Sequence, residues 1–297
     1  LFTSLLFLAA LLGALGGGLL VWKALPPFFG IDGYSPFNNS LYQLPKNQKE
    51  VLCLQAVGDI LLARDIDLII RRFGWQHPFA QVKELISQGD INFCNLESPA
   101  SFLGSPYPNK LKNITFRANP ANLFAIKDAG FNIISLANNH MADYGPAAIA
   151  ETLDALQLLN LPYVGAGHRR EEAYAPHIIE AKGWKLAFLA YAEPLRSVTE
   201  AGSEAGVAHL TKDKTLAAIQ ELKANALADL VVISLHWGEE YRHYPQQYQI
   251  DLAHAIVDAG ADVILGHHPH VLQGLEWYRG KPVFYSLGNF LFDQIDD

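Results

Sequence analysis

The stretch Asp262-Val263-Ile264-Leu265-Gly266-His267-His268-Pro269-His270 decides how this chain is read. Its apolar start has the β-branched character of a buried strand. Three imidazoles then follow where the strand gives way to a loop. Imidazole is the commonest nitrogen ligand of zinc-like metals, and a His-x-His pair can face one ion or two. Metal chemistry at the carboxyl end of a sheet is the first expectation.

Working outward, the same pattern recurs. Apolar runs at 51–57, 91–94, 131–136, 184–191, 229–235 and 282–287 read as further strands. Helical patterns lie at about 79–88, 120–129, 146–159, 212–227 and 245–259. Pro120 and Pro146 suit first-turn positions, and Gly130 and Gly260 suit helix ends. Strands alternating with helices predict an α/β domain whose largely parallel sheet is covered on both faces.

The polar residues gather at one edge of that pattern. Asp59, Glu97, Asn139, His236 and the pair His268/His270 each fall just after a strand. Ligands of open α/β sheets bind at that edge. Taken singly, Asp59 reads as a turn or cap residue, Asn139 as a turn former and His236 as a core histidine. Taken together, they read as a site. Oxygen donors mixed with imidazoles suit manganese, zinc or iron. Six donors exceed one tetrahedral ion and point to two ions sharing a carboxylate, a geometry that clamps phosphate. His140 follows Asn139, and Asp143 is placed to fix its tautomer, which makes His140 a candidate general acid. Arg64 offers a planar fork to an anionic substrate oxygen, or is simply a helix-start arginine. No Gly-x-Ser-x-Gly occurs, and neither cysteine neighbours a histidine in a loop.

Composition narrows the partners. The 297 residues are 50% hydrophobic, enough for a large core, and carry a net charge of −8. That balance lacks the basic footprint of nucleic-acid binding. Cys53 and Cys94 sit in apolar runs and read as buried thiols. Residues 1–22 carry no charged side chain, long enough to cross a bilayer of ~30 Å, and Lys23, Pro26 and Pro27 end the run. Residues 1–23 are thus expected to be a single-pass anchor with the domain outside the cytoplasm, or a cleaved signal segment of a secreted protein. Pro-rich residues 24–50 read as a linker, and 51–297 as the folded domain.

Several of these motifs occur in order: Gly58-Asp59-Ile60-Leu61-Leu62-Ala63-Arg64, Asn95-Leu96-Glu97, Asn138-Asn139-His140 with Asp143-Tyr144-Gly145, His236-Trp237-Gly238, Gly266-His267-His268-Pro269-His270 and Tyr285-Ser286-Leu287-Gly288-Asn289-Phe290. Over about 51–293 the chain resembles the CapA/PgsA family of capsule and poly-γ-glutamate biosynthesis, itself similar to the calcineurin-like metallophosphoesterases. The resemblance implies a four-layer α/β/β/α metallophosphoesterase-like sandwich, with an N-terminal membrane helix common in the family. It implies metal ligation by Asp59, Glu97, Asn139, His236, His268 and His270, with His140 as general acid and no role for His267. The chain departs from the superfamily at Leu61, where a histidine is usual, and at Glu97, where an aspartate is usual. Family members tend to continue past Asn289-Phe290, so a C-terminally shortened domain is expected.

Three functional expectations follow. One is a membrane-anchored hydrolase or transferase that uses one or two divalent ions on a phosphoester or glutamyl substrate. Another is a non-catalytic accessory subunit that binds or exports anionic polymer beside capsule synthase subunits. The last is a soluble intracellular phosphatase in which residues 1–22 are untranslated or cleaved.

Overall fold

The computed structural model describes residues 49–108, 111, 114–194 and 198–293 in full, and Leu6–Ala10 and Leu19–Ala24 as backbone strands only. The expected membrane segment and linker therefore lie for the most part outside the described residues. No helix among the described residues is long and apolar enough to cross a membrane.

Two sheets face each other. Strands β1 (Leu52–Ile60), β2 (Ile91–Leu96), β3 (Ile133–Ser135) and β4 (Tyr163–Val164) run parallel in the first. The second comprises β5 (His177–Ala181), β6 (Trp184–Ala192), β7 (Leu230–His236), β8 (Val263–His267), β9 (Leu275–Tyr278) and β10 (Lys281–Phe284). Its inner strands are parallel, while β5 and β9 close its two edges as antiparallel hairpins. The periodicity alone predicts one sheet. Two arise because alternate residues of β6 serve two different cores. Leu186, Phe188 and Ala190 point into the space between the sheets, where Phe188 stacks on Phe93 at 6.1 Å. Ala187, Leu189 and Tyr191 point outward, into a core shared with Ile219 and Leu222 of helix Lys212–Ala224 and Ala253 and Ile256 of helix Gln247–Asp258. Helices Arg64–Phe73, Leu123–Ala129 and Pro146–Leu158 pack on the first sheet through Ile66, Ile70, Leu123, Ile126, Ile149 and Leu153. The order is helix, sheet, sheet, helix.

Local sequence explains most boundaries. Gly130 ends its helix in the left-handed region, φ 100°. Pro146 opens the next helix at its first turn. The pattern at 79–88 is shorter than expected: a 3₁₀ turn, His77–Phe79, precedes a single helical turn, Lys83–Ile86. Cys53 and Cys94 are buried thiols that form no disulfide.

A last strand, β11 (Asn289–Leu291), ties the two sheets together. Leu287 N donates to Gly266 O of β8 at 2.9 Å, and Asp59 N donates to Gly288 O at 2.9 Å. The chain thus crosses from the second sheet to the end of β1, which β11 joins in parallel. The crossing needs backbone contact. A Cβ on Gly58 would stand 1.9 Å from Gly288 O, and one on Gly266 2.0 Å from Tyr285 O.

Candidate metal centre

Because the parallel strands of both sheets point the same way at this crossing, their carboxyl ends meet. The first sheet delivers Asp59 within β1, Glu97 after β2 and Asn139 after β3. The second delivers His236 at the end of β7 and His268 and His270 after β8. Oxygen donors come from one sheet and nitrogen donors from the other.

The six residues proposed from the sequence as ligands come together. Ligand atoms of Asp59, Glu97 and His236 all lie within 4.8 Å of one another, and so do those of Glu97, His268 and His270. Glu97 belongs to both groups, the position a carboxylate shared by two ions would take. His236 Nε2 is 2.9 Å from Asn139 Oδ1, which brings the sixth residue in. Glu97 Oε1 stands 3.5 Å from His236 Nε2 and 3.7 Å from His270 Nε2.

Burying two carboxylates completely is costly unless they are compensated. Asp59 is held by Asn95 Nδ2 at 2.9 Å, His267 Nδ1 at 3.1 Å and the His268 backbone N–H at 3.3 Å, with His270 Nδ1 at 3.5 Å. Burial pushes its carboxyl up, but the His267 hydrogen bond and the charges of His267, His270 and His236 outweigh that and hold it well below the usual carboxylate range. The imidazoles move the other way. Burial first, and then His268, lowers His236 well below an ordinary histidine. Burial and His270 lower His268 to about 4, against the pull of Asp59. Near neutral pH Asp59 is therefore ionised and His236 and His268 are neutral, the forms that bind metal.

Three buried ring nitrogens, His236 Nδ1, His267 Nε2 and His268 Nδ1, make no hydrogen bond among the described residues. Such atoms are expensive in a dry interior unless something ligates them. Together with the mixed oxygen and nitrogen donor set, they make the cluster chemically suited to a divalent ion. His268 and His270 also adopt left-handed backbone, φ 95° and 58°. Each costs of order 1–3 kcal/mol and persists where the surroundings impose it.

His140 lies beside this cluster, near enough to His268 to help lower it. Its Nδ1 is 2.8 Å from Asp143 Oδ2, and its ring stacks on Phe116 with centroids 4.1 Å apart. Asp143 also accepts from Phe116 N at 2.7 Å. Arg64 stands further out. Its Nε donates to the Asp293 carboxylate at 2.9 Å, and its guanidinium lies 4.8 Å from the Phe116 ring. Sequence reasoning assigns no role to His267, Asn95, Phe116, Asp293 or Asn289, whose Oδ1 is 2.8 Å from His270 Nδ1. Asn95 carries a usable signal: a polar residue inside an apolar strand, two places before Glu97 and therefore on its face.

The family model described as "Bacterial capsule synthesis protein PGA_cap" matches residues 53–294. The chain is 38% identical to the "Capsule biosynthesis protein CapA" of Bacillus anthracis over 83% of its own length and 61% of the relative's. It is 34% identical to the "PGA biosynthesis protein CapA" of Bacillus subtilis (strain 168), covering 82% of this chain and 64% of that one. A "Probable polyglutamine synthesis accessory protein" of Mycobacterium tuberculosis is 25% identical over 75% of the chain and 60% of the relative. The chain thus spans about three-fifths of the length of these curated relatives. Among solved structures, a 5'-nucleotidase precursor from Thermus thermophilus is similar at 17% identity and a TM-score of 0.46, over 72% of this chain and 44% of that one. With a family model matched from the first core strand to the last, the chain belongs to the bacterial capsule synthesis PGA_cap family.

Proposed function

We propose that this domain is a metal-dependent hydrolase of capsule or poly-γ-glutamate synthesis, held at the cell membrane by residues 1–22 and working outside the cytoplasm. The observation that carries the reading is the convergence of Asp59, Glu97, His236, His268 and His270 in a largely buried cluster whose carboxylate and imidazole donors suit a divalent ion. Manganese, zinc or iron fits this donor set. Asp59, Glu97, Asn139, His236, His268 and His270 would hold one or two ions, with Glu97 shared. A bound ion would supply Lewis-acid polarisation of a phosphoryl or acyl oxygen and activation of water near neutral pH.

The chain's own residues do the rest. Asp143 accepts Nδ1–H of His140 and leaves Nε2 to carry the transferable proton, the arrangement of a general acid for a leaving oxygen. Phe116 covers one face of that ring and keeps water from it. His267 and Asn95 hold Asp59 in one orientation. Elemental analysis of protein purified without chelators tests the reading. One or two equivalents of a transition metal are expected, with turnover of an aryl phosphate or phosphodiester by the loaded protein and its loss in His140→Ala. Protein that stays metal-free in excess manganese and zinc would sink the proposal.

A second reading is supported by Leu61. It occupies the position where related hydrolases carry a histidine ligand, and it is wholly buried in the core. One donor fewer suits an accessory subunit that binds anionic polymer beside a membrane synthase, and the Mycobacterium tuberculosis relative bears the word accessory in its name. Co-purification with synthase subunits that survives Asp59→Ala and His270→Ala would favour this reading over the first.

A further inference from the structure

We propose that loop 238–246 is the specificity-determining lip of the metal centre, where Tyr241 and Tyr244 receive the uncharged, ring-bearing arm of a phosphodiester. The inference rests on the hydrolase reading and deepens it by naming the substrate class. The loop joins the end of β7 to helix Gln247–Asp258 and is stitched down along its length. Gly238 N donates to Glu193 Oε2 at 3.0 Å, and Tyr241 N donates to Pro269 O, between the two ligand histidines, at 2.8 Å. Gln273 Nε2 donates to Arg242 O at 2.7 Å, and Gln246 and Gln249 close a capping box. Tyr241 takes a left-handed backbone, φ 62°, which these contacts impose. Yet this firmly held loop exposes its rings: Tyr241 is 51% exposed and Tyr244 83%. With Arg242, His243 and Gln246 they line a shallow cavity of about 430 Å³. Rigid tyrosines at a surface offer contact area at little cost in entropy. A loop that merely connects two elements needs no such rings.

Ring contacts place the loop relative to the proton donor. His140 stacks on Phe116 at 4.1 Å, Phe116 meets Phe292 at 6.0 Å, Phe292 meets His270 at 5.1 Å, and His270 meets Tyr241 at 6.4 Å. His140 and Tyr241 thus stand at the two ends of one file of rings beside the cluster. Hydrolysis of a phosphodiester forms a bond from water oxygen to phosphorus and breaks the bond to one arm. That arm leaves as an alcohol with the proton of His140 Nε2, and a proton of the attacking water replaces it. The arm near His140 is therefore the one lost, and the arm over Tyr241 and Tyr244 is the one kept. The charge of the kept arm follows from the loop. Arg242 Nε is paired with Glu239 at 3.0 Å, and Glu240 adds a second negative charge. Two glutamates against one arginine suit a flat, uncharged ring better than a carboxylate.

Bis(4-nitrophenyl) phosphate and methyl 4-nitrophenyl phosphate have the same charge and leaving group and differ only in the arm that stays. With the full chain loaded with manganese, the bis-aryl diester should have the lower KM. Tyr244→Ala should cut its kcat/KM advantage about tenfold, through KM rather than kcat. Tyr244→Phe should keep most of that advantage. Tyr244 is so exposed that neither substitution disturbs the core. Calorimetry on the His140→Ala protein, which binds without turnover, should show the same preference in Kd and the same loss when Tyr244→Ala is added. Equal effects of Tyr244→Ala on both diesters, or no wild-type preference between them, overturn this inference and leave the hydrolase reading standing. Turnover of 4-nitrophenyl phosphate with neither diester bound also overturns this inference alone. Loaded protein that neither binds nor turns over any of the three removes the hydrolase reading with it.

Discussion

The Nδ1 atom of His267 stands 3.1 Å from Oδ1 of Asp59, and both side chains are fully buried. The residue that family resemblance leaves without a role is therefore the one that grips the first carboxylate. Partners that orient a metal ligand typically contribute ~10–100-fold to metal affinity. His267→Ala should weaken manganese or zinc binding by about that factor, and it leaves a cavity against Phe93. His267→Gln, which can still donate to Asp59, should lose less. Equal metal affinity for wild type and His267→Ala, measured with a competing chelator, would refute this role.

Asp143 and His140 supply a second expectation. Asp143→Asn keeps the shape but no longer demands a proton on Nδ1, so the ring is free to take the wrong tautomer. Turnover by the loaded protein should fall by about 10²-fold or more, with metal content unchanged. The same substitution weakens the hold on Phe116 N, so a modest drop in melting temperature accompanies it. Full activity in Asp143→Asn would remove His140 from the proton-transfer step.

Glu97 is common to both ligand groups, so its loss should affect every bound ion. A ligand that binds only the native state at 100 times its Kd stabilises it by about 2.7 kcal/mol. Chelation should therefore lower the melting temperature of wild-type protein by several degrees. In Glu97→Gln the metal-loaded and stripped proteins should melt nearly together. A wild-type melting temperature indifferent to manganese, zinc and chelator would argue against a resident ion.

Much of this is legible in the sequence because strand ends announce themselves. An apolar run stopping at Asp59, Glu97, His236 or His268 places a polar group at a sheet edge whatever the tertiary detail. The division into two sheets is not legible from periodicity. It depends on which of Leu186 and Ala187 faces a sheet and which a helix, and both are apolar. Contacts made across long separations are equally hidden. Arg64 and Asp293 are 229 positions apart, and nothing local to either marks the other. Phe116 reads as an ordinary aromatic because only the folded loop lays it on His140. His267 escapes for a subtler reason. In His267-His268-Pro269-His270 the strand ends at His267, so this ring follows the inward face of β8 with Val263 and Leu265, while the next residue turns away with φ 95°.

The buried imidazoles make a prediction about acid. The His268 pKa is about 4 in the folded protein against 6.5 for the free side chain, and burial lowers His236 as well. Below 6.5 the unfolded chain therefore binds protons that the folded site refuses, so unfolding is favoured as pH falls. The stability contributed by these neutral rings is complete above about pH 6.5, is lost progressively down to about pH 4, and falls no further for His268 below that. Asp59 acts in a lower window, since its depressed pKa keeps it ionised until the pH drops beneath the ordinary carboxylate range. Metal-stripped protein should thus show a denaturation midpoint that declines between about pH 6.5 and pH 5, before carboxylate protonation begins. His268→Gln, which cannot take up a proton, should flatten part of that decline. An unchanged slope in His268→Gln would mean that the acid sensitivity arises elsewhere in the fold.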